Sequence, residues 1–178
     1  DLAKPESAED HLRKLAVSTK QFVRTLKEII WSANPDCDTL ENLCAYLCKF
    51  AGDFLGPAGI ACRFQLPEDL PDLSVAVEQR QQLFLVVKEA LHNVVKHAGA
   101  SEVWLRFAST NNTLSICVED NGRGFCESAT SSDGGNGLVN MRQRVEQLGG
   151  RFEIDSRPGN GTKVSLTIDL KSLAKSSS

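Results

Sequence analysis

The sequence predicts an α+β protein: a two-layer α/β sandwich with helices on one face of a mixed, largely antiparallel sheet. A long helix is appended at its N-terminus. Three observations predict this. Residues 6–33 carry an unbroken helical apolar stripe. Residues 75–98 carry a second amphipathic helix, centred on Val86 to Ala98. Beyond it, short alternating apolar segments are separated by turn residues, as in antiparallel strands. The 178 residues, 41% hydrophobic and 24% charged, suit one sizeable core plus an appended element.

In the first helix Leu12, Leu15, Thr19, Phe22, Leu26, Ile29 and Ala33 alternate spacings of three and four, and Ala16, Val23 and Ile30 widen the stripe. A stripe that wide suits a helical bundle better than a two-stranded coil. Asn34-Pro35 ends it, because the residue before proline is pushed out of the helical region. Asp38 or Thr39 can cap the next helix, which presents Leu40, Leu43, Leu47, Phe50, Phe54 and Leu55 and runs to about Gly56. Ile60 to Leu66 reads as a strand, and Pro67 and Pro71 bracket a loop.

The central helix starts near Val75. Leu83, Val87, Leu91 and Val94 share its apolar face, and Gly99 ends it. Val103, Leu105 and Phe107, then Leu114, Ile116 and Val118, read as a hairpin around Asn111-Asn112. Residues 124–136 form a loop rich in Ser and Gly. A helix from about Leu138 to Leu148 stops at Gly149-Gly150. Two closing strands flank Pro158-Gly159. The tail from Lys171 to Ser178 reads as polar and disordered.

Several classes are excluded by composition. A net charge of −3 without a long basic run does not point to nucleic acid. The apolar runs fall short of the roughly 20 residues a membrane span needs. The chain opens Asp-Leu-Ala-Lys-Pro-Glu, without Met or the charged and apolar segments of a signal peptide, and is expected to be part of a longer protein. Its 6 cysteines include no CxxC. Cys44 and Cys48, one helical turn apart, have no second Cys/His pair to complete a metal site. Reduced, mostly buried thiols are expected.

Chemistry gathers on the central helix. Glu89, Asn93, Lys96 and His97 fall on one face, since residues three and four apart stack. A carboxylate, a carboxamide, an ammonium and an imidazole could hold hydrated Mg²⁺ and a polyphosphate, because Mg²⁺ prefers oxygen ligands and keeps waters. A solvated polar face is the alternative. Downstream, Asp120 follows an apolar strand and opens Asp120-Asn-Gly-Arg-Gly-Phe125. A carboxylate there can accept from an exocyclic amine, or start an Asx turn. Gly122 and Gly124 permit close backbone approach or positive φ. Gly134-Gly-Asn-Gly-Leu138, with Gly135 and Gly137, opens a helix whose free N–H groups favour phosphate. Gly159-Asn-Gly-Thr162 is the last cluster.

This order of elements resembles the GHKL ATPases, which include histidine kinases, Hsp90, gyrase B and MutL. Glu89-x3-Asn93-x2-Lys96-His97-Ala98 matches their N box, and the three glycine clusters match their glycine boxes. Lys96-His-Ala98, the short segment between the first two glycine boxes, and Gly137-Leu-x-Asn-Met-Arg-x-Arg-Val-x-x-Leu-Gly-Gly150 are similar to sensor histidine kinases of the nitrate-sensor type. The resemblance spans roughly residues 10–170 and implies the sandwich of the histidine kinase ATPase.

It also implies roles. Asp120 selects adenine. Asn93 ligates Mg²⁺, Glu89 polarises the incoming nucleophile or an Mg²⁺-bound water, and Lys96 contacts a phosphate. Gly122, Gly124, Gly135, Gly137, Leu138, Gly161 and Thr162 line the ATP site. His97 lines the site by ring packing, His92 is a packing histidine, and Arg123 and Arg142 are phosphate candidates. Residues 1–35 become the C-terminal part of a dimerisation and phosphotransfer hairpin, 36–170 the ATP-binding catalytic domain, and 171–178 the tail. The implied partners are a second copy through the N-terminal helix and a response regulator. The implied setting is the cytoplasmic portion of a membrane-anchored sensor.

The sequence departs from this family in two places. Its three histidines precede Leu12, Asn93 and Ala98, whereas the family's acceptor histidine usually precedes an acidic residue. The acceptor is therefore expected N-terminal to residue 1, with His11 the weaker alternative. A phenylalanine-rich box before the lid is also missing, as in kinases with short lids. A GHKL-type serine kinase and a non-enzymatic dimerisation or adaptor module are the competing readings. The heptad helix argues against the first, and intact Glu89, Asn93, Asp120 and glycines against the second.

Overall fold

The structure, a computed structural model, describes residues 38–126 and 136–174, with 11–13, 15, 16, 19, 23 and 31 before them. The chain divides into two compact units, Asp1–Cys37 and Asp38–Ser178. In the first, the described residues are helical. Thr19 Oγ1 donates to the Leu15 carbonyl at 2.8 Å, the back-bond of a hydroxyl inside a helix. Leu12 and Leu15 are 65% and 64% exposed. Phe22, Leu26, Ile29 and Ala33 of the expected stripe lie outside the described residues.

The second unit begins with α1 (Leu40–Leu55). Thr39 caps it by accepting from the Asn42 amide at 3.2 Å, satisfying one orphan N–H of the first turn. β1 (Ala61–Gln65) follows a tight turn at Gly56–Ala58. α2 (Val77–Asn93) runs into a wider π-helical turn, Val94–Ala98, and stops at Gly99 with φ 61°. β2 (Glu102–Thr110) and β3 (Thr113–Asp120) form the expected hairpin. Asn111 and Asn112 both take positive φ, 51° and 63°, which a tight two-residue hairpin demands. Then come α3 (Gly137–Gln147), β4 (Arg151–Ser156), β5 (Thr162–Asp169) and a helical turn α4 (Leu170–Leu173).

The sheet order is β1-β2-β3-β5-β4, with β1 parallel to β2 and the other pairs antiparallel. Alternate residues Val103, Leu105, Phe107, Leu114, Ile116, Val118, Val164, Leu166 and Ile168 are buried, as a two-residue period places them on one face. They meet the apolar stripes of the helices, including Leu43, Leu47, Leu83, Val87, Leu91 and Met141. The intervening residues stay partly wet. Arg106 bonds Glu119 across the hairpin, with its guanidinium 5.7 Å from the Trp104 ring. Phe84 of α2 meets Phe50 of α1 edge-on at 4.9 Å.

The structure corrects one expectation here. Residues 171–174 do not belong to a disordered tail. Asp169 caps α4 by accepting from the Lys171 amide at 2.8 Å. Leu173 is fully buried, and its carbonyl accepts from the Ala76 amide at 3.0 Å. Leu170 and Leu173, three apart, place two apolar side chains on one side of a single turn. Residues 175–178 lie outside the described residues.

Candidate functional site

The site is built where α2 ends, β3 ends and α3 begins. Glu89 and Asn93, one turn apart on α2, are both half-buried, and Lys96 in the next turn is exposed. The π-helical turn lets the Ala98 carbonyl accept the Arg123 amide at 2.9 Å. Widened turns of this kind recur at functional sites. Here the turn ties α2 to the loop after β3.

Asp120 ends β3 and is 5% exposed. The Gly122 amide donates to its Oδ1 at 2.8 Å. Burial pushes the carboxyl above its ordinary value, while the Gly122 and Thr162 amides act the other way by favouring the anion. In the β3–β5 ladder Asp120 stands directly opposite Thr162.

Glycines make this closeness possible. A Cβ on Gly122 would lie 2.4 Å from the Ala98 carbonyl oxygen. Gly161, with φ 71°, would place one 1.9 Å from the Asp120 carbonyl oxygen. Gly124, with φ 60°, would meet the Arg157 carbonyl oxygen at 2.1 Å. On the far wall, Gly137 opens α3 against the Glu89 carboxylate, and Leu138 beside it is half-buried. The structure therefore gathers Asp120, Gly122, Gly124, Gly161 and Thr162 on one side, and Glu89 and Gly137 on the other. Gly135 lies outside the described residues.

Some assignments move. His97 is exposed. His92 is exposed too, its ring 6.4 Å from that of Phe54. Arg142 is engaged with β4: it stacks 5.3 Å from the Phe152 ring and donates to the Phe152 carbonyl at 3.3 Å. It also lines a separate groove of about 700 Å³ with Glu146, Glu153, Asp155 and Lys163. That groove shares no residue with the α2 wall and carries charges of both signs.

Two polar clamps escaped the sequence reading. Asn121 Oδ1 accepts the Ser101 and Glu102 amides, both at 3.0 Å, fixing the Asp120 loop to the start of β2. Ser156 Oγ accepts the Phe125 amide at 2.9 Å and lies 3.0 Å from Thr162 Oγ1. An Asn following Asp at a strand end hints at the first clamp. Nothing local marks Ser156.

The sequence model of the histidine kinase-, DNA gyrase B-, and HSP90-like ATPase family matches residues 78–172. A sensor-like histidine kinase of Chloroflexus aurantiacus is 28% identical over 168 residues, 92% of this chain and 28% of that protein. Sensor histidine kinase YhcY of Bacillus subtilis is 30% identical over 171 residues, 96% of this chain and 43% of that protein. The chain thus spans less than half the length of these relatives. The histidine kinase domain of the blue-light activated histidine kinase of Erythrobacter litoralis EL346 superposes with a TM-score of 0.62 at 30% identity, over 72% of this chain and 61% of that one. The histidine kinase AdeS of Acinetobacter baumannii, at 13% identity and a TM-score of 0.65, covers 95% of this chain and 87% of that one and shares the fold.

Proposed function

This chain belongs to the histidine kinase-, DNA gyrase B-, and HSP90-like ATPase family, and from that membership we propose that it is the ATP-binding catalytic region of a two-component sensor histidine kinase. It moves the γ-phosphoryl group of ATP to a histidine N-terminal to residue 1, for relay to a response regulator. Residues 1–35 form part of the dimerisation hairpin, and two copies associate through it. The catalytic domain follows and includes α4. The full-length protein is membrane-anchored with this portion in the cytoplasm. Among the described residues no helix is long and apolar enough to cross a membrane.

The observation that carries the reading is the buried carboxylate of Asp120 at the end of β3, reached between Gly122 and Thr162. An ionised carboxylate only accepts hydrogen bonds, so it selects the exocyclic amine of adenine over the carbonyl of guanine. The carboxylate of Glu89 and the carboxamide of Asn93, one turn apart, are the oxygen donors that suit Mg²⁺. Bound there, Mg²⁺ supplies charge neutralisation for the polyphosphate. Asn93 would hold the ion through its carboxamide oxygen, and Lys96 would meet a phosphate as a point charge. The opening amides of α3, at Gly137 and Leu138, face phosphate with the positive end of the helix. Glu89 polarises the attacking imidazole by accepting its ring N–H. The N–P bond forms as the bond to the bridging oxygen breaks.

Calorimetry and single-turnover transfer in the full-length protein test this. ATP should bind at least tenfold more tightly than GTP. Glu89→Gln should leave ATP affinity within a few-fold while transfer falls about 10²-fold. Asn93→Ala should weaken ATP binding only with Mg²⁺ present. Equal ATP and GTP affinity, or Glu89→Gln transferring at the parental rate, would sink the assignment.

A further inference from the structure

Gly137 is not glycine for the reason its neighbours are. Gly124 and Gly161 need positive φ, and Gly122 is crowded by backbone. Gly137 is the first residue of α3 and has no positive φ. A Cβ there would have three nearest neighbours, all of them atoms of Glu89: Oε1 at 2.4 Å, Cδ at 3.3 Å and Cγ at 3.6 Å. The space a side chain would take is filled by the carboxylate of a residue on another helix.

This meeting is built by helix packing. Two turns further along α3, Arg144 Nη1 donates to Gln82 Oε1 of α2 at 2.6 Å. Gln82 precedes Glu89 by seven residues, and Arg144 follows Gly137 by seven. The two contacts are therefore about 10 Å apart on each helix, from a rise of about 1.5 Å per residue, and the helices run antiparallel between them. Among the described residues the start of α3 supplies no anion of its own. Asn136 makes no capping hydrogen bond, and the first turn has no acidic side chain. A carboxylate delivered there from α2 is favoured by the helix dipole.

We infer that Gly137 is a positioning residue: its missing side chain is the seat in which α3 holds the Glu89 carboxylate at the angle the reaction needs. The inference rests on the reading of Glu89 as the group that faces the nucleophile. It adds that α3 sets where that carboxylate points.

The test uses Gly137→Ala in the full-length protein, alone and combined with Glu89→Asp. Alanine keeps the amide that faces phosphate and is a better helix former than glycine, so transfer should fall by a larger factor than ADP affinity. Transfer should fall by about tenfold or more, as small displacements of a reacting group do. Aspartate is shorter by one methylene and leaves room for the new methyl. Adding Gly137→Ala to Glu89→Asp should therefore cost less than twofold further. The Glu89 carboxyl carbon resonance should shift in Gly137→Ala, and this readout does not depend on transfer. Absence of transfer in the parental protein would count against the kinase reading alone, and the resonance would still decide the seat. Gly137→Ala leaving the Glu89 resonance unmoved, or costing as much on Glu89→Asp as on the parent, would overturn the inference.

Discussion

The Gly122 amide donates a 2.8 Å hydrogen bond to Oδ1 of Asp120, and it does so inside a shell that leaves the aspartate 5% exposed. Burial dominates this carboxyl and raises its pKa above the ordinary 3.8. The folded state thus binds the proton more tightly than the unfolded chain. From 3.8 up to the folded value, the stability contributed by the protonated form is lost as pH rises. At neutral pH the charge is a cost to the fold. Asp120→Asn should therefore raise the Tm of the nucleotide-free protein at pH 7, with the gain vanishing below about pH 3.8. The same change should weaken ATP about ten- to a hundredfold, from the loss of one charge-assisted hydrogen bond of about 1.5–3 kcal/mol. Scanning calorimetry and ATP titration check both. A variant less stable at pH 7 would contradict the first.

Gly161 and Gly159 separate strain from contact. Both have positive φ, 71° and 83°, but only Gly161 would drive a Cβ into backbone, 1.9 Å from the Asp120 oxygen. Gly159→Ala should cost about 1–2 kcal/mol, the left-handed penalty alone. Gly161→Ala should cost more and also weaken ATP binding, because Asp120 must move. Equal losses in urea unfolding would show that the close approach carries no weight.

Three thiols give the domain an alkaline limit. Burial pushes Cys44 up to about 12, and Cys48 and Cys62 up to about 11, from 9.0. Each folded thiol keeps its proton where the unfolded one has lost it. The contribution of these thiols should be flat below about pH 8.5 and fall as pH rises through 9 toward 11. Cys44→Ala should shallow that fall. An unchanged slope, measured by urea midpoints from pH 8 to 10.5, would assign the loss to other groups.

Leu12 and Leu15 are about two-thirds exposed in the single chain, and burying each fully is worth about 1.5–3 kcal/mol. A second copy should cover them. Sedimentation should show a dimer that Leu15→Asp dissociates. A monomer at high concentration, unchanged by the substitution, would remove the N-terminal helix from the assembly.

Much of the fold is legible along the chain. Thr39 announces a helix start, and Asn111-Asn112 announces a hairpin whose strands alternate as expected. The same alternation, running from Leu114 to Val118, puts Asp120 at a strand end. These are local matters: a cap needs a hydroxyl at one position, and a tight turn needs two residues that tolerate positive φ. Less is legible where the backbone leaves its standard period. The widened turn at Val94–Ala98 has no local signature. The structure leaves His97 of that turn exposed.

By itself the sequence determined most of the helices and strands, because side-chain periodicity and backbone preference act over a few residues. It did not determine that β1 pairs parallel at the sheet edge, or that Leu173 returns to close the core. Nor did it determine that Ser156 holds both Phe125 and Thr162. Above all, it could not show that Gly137 is kept bare by Glu89. Those relationships join residues distant along the chain. They arise only when burial of the apolar stripes sets α2 against α3 and the last strand against the third, and no local preference encodes which atoms then meet.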